Sequence, residues 1–104
     1  MKDLFKSLGP LGKQYKKMME ELQKIEEQLS EERIEASAGG GMVKAVASGR
    51  GELLEIIISP EVVDPNDVEM LQDLVLAAVR EALSEAEKRR AEVLSQFTGG
   101  IIPF

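Results

Sequence analysis

An alternation of apolar residues interrupted by glycines, in the middle of the chain, places the strongest constraint on the fold. Residues 36–60 read ASAGGGMVKAVASGRGELLEIIISP. Apolar residues at every second position are typical of β-strands, in which successive side chains point to opposite faces. Glycines separate the alternating stretches, because glycine adopts positive φ in tight turns without steric cost. The pattern predicts a three-stranded antiparallel meander over residues 33–59.

The predicted meander carries apolar side chains on both faces. On its third strand, Leu54, Ile56 and Ile58 share one face, and Leu53 and Ile57 share the other. A sheet that is apolar on both faces must be covered on both, and a chain of 104 residues has few elements left to do so. We therefore expect a second copy of the chain to supply the cover. The residues expected in this dimer interface, including two from the second helix, are Met42, Val46, Leu53, Ile57, Leu74 and Val79.

A heptad-like spacing precedes the meander. Apolar residues separated by four, three, four, three and four positions predict an amphipathic helix over residues 13–31, after a flexible N-terminal arm at 1–12. The start of this helix is marked either by Gly9-Pro10 or by Gly12. The residues of this heptad seam are Leu11, Tyr15, Met18, Leu22, Ile25 and Leu29.

A second helix is predicted at residues 65–97, followed by a tail at 98–104. Asp64 suits the N-cap and Pro65 the first helical position, and Gly99-Gly100 suits the end. Such a helix would be roughly 45–50 Å long, which exceeds the width of a small domain. Its first half is apolar nearly all round, which indicates burial by several partners. Its second half is mostly charged and is expected to project into solvent.

The glycine-rich segment does not match a phosphate-binding loop. A P-loop needs a glycine directly before its lysine and a hydroxyl residue directly after it, whereas Lys44 lies between Val43 and Ala45. The chain also has no histidine and no cysteine, which removes imidazole and thiolate chemistry. Its paired carboxylates lie in charged helical stretches, where such residues usually face solvent. We therefore predict no enzymatic activity, no catalytic residues, no metal site and no cofactor.

Positive charge is concentrated at particular places in an acidic chain. The net charge is −6, but residues 1–19 hold five lysines and one aspartate, a local balance of +4 that leaves −10 for the remainder. An acidic total argues against nucleic-acid binding unless the basic residues are clustered. Those proposed here as DNA contacts lie near the first helix and towards the end of the second: Lys6, Lys13, Lys16, Lys17, Lys88, Arg89 and Arg90. The alternative is that these residues form ordinary solvent-exposed helix faces with local ion pairs. Glu20, for example, can pair with Lys24 four residues later on the same helix.

Several long strings resemble the YbaB/EbfC family of nucleoid-associated proteins. They are KKMMEELQKIEEQLSEERIEASAGGGMVKAVASGRGELLEIIISPEVV, then DVEMLQDLVLAAVREAL, and finally a Gly-Gly stretch with the C-terminal IIPF. The resemblance runs from about residue 13 to 104 and is most specific in the meander. It implies a homodimer in which the sheets and the apolar half of the second helix form the body. The helices would project like the prongs of tweezers and bind duplex DNA in the bacterial nucleoid.

The resulting prediction is a single α+β domain over residues 1–104 that forms an intertwined homodimer with projecting helices. Its expected function is binding of duplex DNA, mainly through phosphate contacts, in the cytoplasm and nucleoid. No stretch approaches the roughly 18 apolar residues of a membrane-spanning helix, so no membrane partner is expected. The alternative function is a protein–protein interaction module, which would dock a partner through the heptad seam and the apolar tail GGIIPF.

Overall fold

The computed structural model describes residues 9–99, which form two helices and one sheet. The chain runs from helix α1 through three strands and a short 3-10 turn at Pro60–Val62 into helix α2. This order confirms the predicted α+β class, with a helix before the meander and a longer helix after it. The bounds are α1 Pro10–Glu31, β1 Arg33–Ala38, β2 Val43–Ser48, β3 Leu53–Ile58 and α2 Val68–Thr98.

Helix α1 begins earlier than the predicted residue 13. Gly9 is its N-cap and Pro10 occupies its first turn, where the fixed φ of proline suits a helix and its missing N–H costs nothing. Of the two possible start signals, Gly9-Pro10 is therefore the one used. The helix ends at Glu31, and Glu32 is already extended, so one residue separates α1 from β1. Residues 1–8 of the predicted arm lie outside the described residues.

Helix α2 begins at Val68, three residues later than the predicted start at residue 65. The side chain of Asp64 does not cap the helix, because it accepts a hydrogen bond from the Asn66 N–H at 2.9 Å and closes a turn. Asp67 is the N-cap, and its Oδ1 accepts a hydrogen bond from the Met70 N–H at 3.2 Å. The predicted acidic cap is present, but it is the second aspartate of the run. The helix ends at Thr98, and tail residues 100–104 lie outside the described residues.

The sheet is an antiparallel meander in the order β1-β2-β3. A bulge interrupts the β2–β3 pairing, since Val46 pairs with Glu55 whereas Ala47 pairs with Leu53. Directly opposed residues share a face of the sheet, so Leu53 lies on the face of Ala47. This corrects the prediction that Leu53 shares a face with Ile57, because strict alternation stops at the bulge.

The core lies between one face of the sheet and α2. Three β2 residues and three α2 alanines spaced four apart are fully buried: Val43, Ala45, Ala47, Ala78, Ala82 and Ala86. The small alanine side chains let the helix axis approach the sheet closely, and the larger aliphatic residues of α2 pack around this contact. Helix α2 therefore covers this face over β1 and β2, whereas Ile56 and Ile58 of β3, on the same face, remain 41% and 38% exposed.

The molecule is elongated, with principal extents of 68 × 27 × 18 Å. Its radius of gyration is 20.0 Å, against about 13 Å for a compact domain of this length. Helix α1 accounts for part of the difference, because Leu29 near its C-terminal end is 1% exposed whereas Leu11 near its start is 65% exposed. Helix α1 is thus anchored near its last turns.

Candidate nucleic-acid interface

The first half of α1 carries a cluster of cations that we call the basic tip, formed by Lys13, Lys16 and Lys17. All three side chains are exposed, and none forms an ion pair with another residue of the described range 9–99. No acidic residue occurs between Pro10 and Met19, whereas glutamates dominate the second half of the helix. The basic tip is therefore available to an anionic partner. Lys6, also predicted as a DNA contact, lies outside the described residues.

Lys88, on α2, is the most exposed of the predicted DNA contacts on that helix. Its side chain is 72% exposed and lies 3.6 Å from Glu85, one turn earlier. An exposed pair of this kind within one helix contributes little and exchanges readily with solvent. Lys88 is consequently accessible to a phosphate group.

Arg89 and Arg90 are engaged with carboxylates that lie far away in sequence. Arg89 donates through Nε to Glu32 Oε2 at 3.0 Å and through Nη2 to Glu32 Oε1 at 2.8 Å. Arg90 donates through Nη2 to Glu26 Oε1 at 2.7 Å. These arginines therefore join α2 to the end of α1, and each would have to leave its glutamate in order to contact DNA.

The Glu32–Arg89 pair has the geometry of a strong ion pair. Two nearly parallel N–H donors meet the two oxygens of one carboxylate, which adds directional specificity to the attraction between charges. The hydrogen bonds from Arg89 lower the pKa of Glu32 below its ordinary value, and the same bonds raise the pKa of Arg89. Both groups are therefore charged at neutral pH.

Glu26 is shared between two cations. Besides Arg90, it lies 3.4 Å from Nε of Arg50 in the β2–β3 turn. We call this set of five residues the α1–α2 junction: Glu26, Glu32, Arg50, Arg89 and Arg90. Sequence reasoning missed Glu26, Glu32 and Arg50, because partners 57 and 64 positions apart leave no periodic signal in one sequence.

The β2–β3 turn is held firmly beside the end of α1. The buried Ser48 hydroxyl accepts hydrogen bonds from the N–H groups of Arg50 and Glu52 at 3.2 and 3.3 Å. The Gly49 N–H donates to the Leu29 carbonyl at 2.8 Å. This carbonyl is one of the last in α1, where intrahelical donors run out. The turn thereby fixes the position of both Arg50 and the last turn of α1.

Comparison with known proteins places the chain in a family. The model of the YbaB/EbfC DNA-binding family matches residues 5–101. The chain belongs to this family. It is 52% identical to a nucleoid-associated protein of Acetivibrio thermocellus over 91% of this chain and 84% of that protein. It is 55% identical to a nucleoid-associated protein of Thermoanaerobacter pseudethanolicus over 91% of this chain and 86% of that protein.

The fold of this YbaB/EbfC chain also matches a solved structure. The crystal structure of an uncharacterized protein from Helicobacter pylori aligns with a TM-score of 0.77 and 25% identity, covering 85% of this chain and 92% of that chain. The family resemblance predicted from the meander strings is thus confirmed, and so is the helix–meander–helix fold.

The residues predicted for a dimer interface differ in how much surface they leave exposed in the YbaB/EbfC protomer. Leu53 and Ile57 on the edge strand β3 are 43% and 44% exposed. Val46 is already 2% exposed within the single chain and leaves little surface for a partner. The other three are partly buried and pack against the core between sheet and helix: Met42, Leu74 and Val79. Of the six residues predicted for the interface, the two on β3 are therefore the most exposed.

Between residues 9 and 99, no group of three or more acidic residues lies close enough together to hold a metal ion. In the same range, neither helix has the length and hydropathy needed to cross a bilayer.

Proposed function

We propose that this YbaB/EbfC protein is a nucleoid-associated homodimer that binds duplex DNA in the cytoplasm through phosphate contacts from α1. The observation that carries the proposal is the basic tip, whose three exposed lysines have no carboxylate partner within residues 9–99. Lysines of this kind neutralise phosphates without reading base edges, so weak sequence preference is expected. Membership of a DNA-binding family supports the choice of ligand.

Dimerisation is supported by the surface of β3. Five aliphatic residues of this strand are between 38% and 46% exposed: Leu53, Leu54, Ile56, Ile57 and Ile58. Covering them would contribute roughly 1 kcal/mol per side chain, since full burial of a leucine or isoleucine is worth about 1.5–3 kcal/mol. An uncovered edge strand of this composition is also an aggregation hazard. A second copy of the chain is the partner we propose for this surface.

The other predicted contacts are proposed to contribute unequally. Lys88 is accessible and can add a phosphate contact beside the basic tip. Arg89 and Arg90 can do so only by exchanging Glu32 and Glu26 for phosphate oxygens. Lys13, Lys16 and Lys17 from two copies supply about six contacts, which corresponds to a slope of about −5 when log K is plotted against log salt concentration.

A matched pair of variants tests the phosphate contacts. Lys17→Gln and Arg80→Gln each remove one exposed positive charge that has no ion pair within residues 9–99, but only Lys17 belongs to the basic tip. Binding of a fluorescent duplex is measured between about 50 and about 300 mM salt, roughly a sixfold range. The Lys17 variant should reduce the steepness of the salt dependence by about two, because both copies lose a contact. Equal slopes for the two variants would reject the basic tip as the binding surface.

The dimer is tested by solution mass. Sedimentation at micromolar concentration should give twice the 11.4 kDa mass of the chain. Ile57→Glu should shift the protein towards the monomer, because it would place a charge in a desolvated apolar contact. The control is Glu61→Gln, an exposed residue beyond β3. A compact wild-type monomer would contradict the proposal.

A second candidate function is docking of a partner protein on the heptad seam. Its outer residues Leu11, Tyr15 and Met18 are 65%, 48% and 46% exposed, and such helical stripes fit apolar grooves. The apolar tail GGIIPF, predicted as a second docking element, lies outside the described residues except for Gly99. A single stoichiometric protein recovered from nuclease-treated lysate, and lost with Leu11→Ser, would favour this function over DNA binding.

A further inference from the structure

The direction of α1 depends on a small region at its C-terminal end. One residue, Glu32, separates the helix from β1, and the seam side chains of its first two turns are exposed. The Leu29–Gly49 hydrogen bond and the buried Leu29 side chain anchor the last turn. Contacts confined to the end of a rod fix where it is attached but restrain its tilt and rotation weakly. Something else must set the direction in which the basic tip points.

We propose that Glu26 and Glu32 are positioning residues, whose ion pairs with α2 and the β2–β3 turn set the angle of α1. The proposal rests on the DNA-binding function proposed above. In a dimer, this angle determines the separation of the two basic tips and therefore whether both reach the phosphates of one duplex. Neither glutamate touches DNA in this scheme.

The junction has the geometry that such a role requires. Glu26 and Glu32 are six residues apart, about 9 Å along a helix axis. Their ion pairs therefore restrain α1 at two separate positions along its length. Their partners Arg89 and Arg90 are consecutive on α2 and project about 100° apart around it. The bidentate contact of Arg89 fixes the orientation of the Glu32 carboxylate, and Arg50 restrains Glu26 from the sheet side. Tilt and rotation are both constrained.

Because the basic tip lies far from the junction, a small change in the angle of α1 displaces it by several ångströms. Lys13 precedes Glu32 by 19 positions, about 28 Å along the helix, so a tilt of about 10° moves the tip by about 5 Å. A charge-assisted hydrogen bond to a phosphate oxygen requires a separation of about 2.7–2.9 Å. A modest loss of angular restraint at the junction is therefore sufficient to break contacts at the tip.

The ion pairs are suited to positioning more than to stability. The side chains of Glu32 and Arg89 are 34% and 41% exposed, and pairs as exposed as this contribute little to the free energy of unfolding. Removing them should leave the fold intact and change only the distribution of α1 angles.

The sign of the effect on DNA binding separates positioning from simple electrostatics. Replacing a glutamate by glutamine removes negative charge near a DNA-binding surface, so charge alone predicts tighter binding. Positioning predicts weaker binding. The chain offers a charge-matched control, because Glu27 and Glu31 neighbour the two glutamates, are exposed, and form no ion pair within residues 9–99.

The experiment compares Glu26→Gln/Glu32→Gln with Glu27→Gln/Glu31→Gln in the full-length protein. The chain contains no cysteine, so spin labels at Gln14→Cys on α1 and Ser37→Cys on β1 report the α1 angle in labelled chains diluted with unlabelled ones. The junction variant should broaden the distance distribution. It should also weaken duplex binding about tenfold, the worth of about one phosphate contact near 0.1 M salt. The control variant should keep the wild-type distribution and bind at least as tightly as wild type.

A charge exchange tests whether Glu32 acts through Arg89. Glu32→Arg and Arg89→Glu should each broaden the distribution and weaken binding, and the two together should restore both at unchanged net charge. An unchanged distance distribution in the junction variant, or binding as tight as that of the control, overturns the proposal. Failure of the proposed function would instead be seen in the wild-type protein, as duplex binding that is undetectable or independent of salt.

Discussion

Gly49→Ala is the change whose effect the structure predicts most directly. Gly49 lies in the β2–β3 turn, is buried, and does not have positive φ, so alanine can adopt its backbone conformation without strain. A β-carbon at this position would lie 2.8 Å from the Leu29 carbonyl oxygen, 3.0 Å from Leu29 Cδ2 and 3.0 Å from Glu32 Oε2. The nearest of these atoms belongs to the backbone of the last turn of α1, which must move away.

Two opposing effects determine the magnitude. Alanine reduces the conformational freedom of the unfolded chain, which by itself stabilises a protein by about 0.4–1 kcal/mol. Overpacking of a tight site costs about 1–3 kcal/mol, so the net destabilisation should be about 1–2 kcal/mol. The displacement also weakens the hydrogen bond from the Gly49 N–H to the Leu29 carbonyl, which measures 2.8 Å. The effect on the unfolded chain alone would instead make Gly49→Ala more stable than wild type.

Thermal and urea unfolding at a fixed protein concentration measure the change. A fall in Tm of about 4–8 °C per kcal/mol is expected for a domain of this size, and the concentration is fixed because the proposed dimerisation would make Tm depend on it. Gly40→Ala is the control: nothing lies within 4 Å of its β-carbon, but its φ of 67° is costly for alanine, by about 1–2 kcal/mol. Both variants should lose stability, and only Gly49→Ala should also change the α1 angle. A Gly49→Ala protein as stable as wild type would contradict the predicted clash with the Leu29 carbonyl.

Two further predictions concern the start of α2 and the junction. Asp67→Ala should destabilise the protein by about 1 kcal/mol in urea unfolding, because the Met70 N–H loses its cap; a larger loss from Asp64→Ala would show that the cap had been assigned to the wrong aspartate. The Glu32–Arg89 pair should make stability depend on pH in the acidic range. Since the folded pKa of Glu32 lies below its ordinary value of 4.5, the contribution of the pair is fully present above that pH and is lost as pH falls through the lowered folded pKa. The difference in unfolding free energy between wild type and Glu32→Gln should therefore shrink in acid, and a difference that grows below pH 4 would contradict the pairing.

Local patterns were sufficient to predict the elements of this fold. The alternation of Val43, Ala45 and Ala47 predicted β2 and a shared face for these three side chains, and the structure buries all three. The glycines between the strands predicted hairpins, and Gly39, Gly40, Gly41 and Gly51 have positive φ. The errors arose where two local signals compete. Asp64 and Asp67 are both good caps, and the turn formed by Asp64 decides between them.

The candidate site was predictable only in part. The basic tip follows from composition, because a run without acidic residues stays basic in whatever way the chain folds. The arginines of α2 were predicted as DNA contacts from local charge, but their surroundings depend on residues more than fifty positions away. Local charge does not distinguish a cation that faces solvent from one that meets a carboxylate on another element.

Local stretches of sequence specify which segments are helical, which are extended and where positive charge collects, since propensity, periodicity and turn chemistry act over a few residues. The tertiary structure decided the bulge that turns Leu53 towards Ala47, the exposure of β3 and the partners of Arg89 and Arg90. The partners of the two arginines depend on the position of α1 relative to α2. That position results from the packing of small residues and the pairing of distant charges, which are properties of the folded chain as a whole.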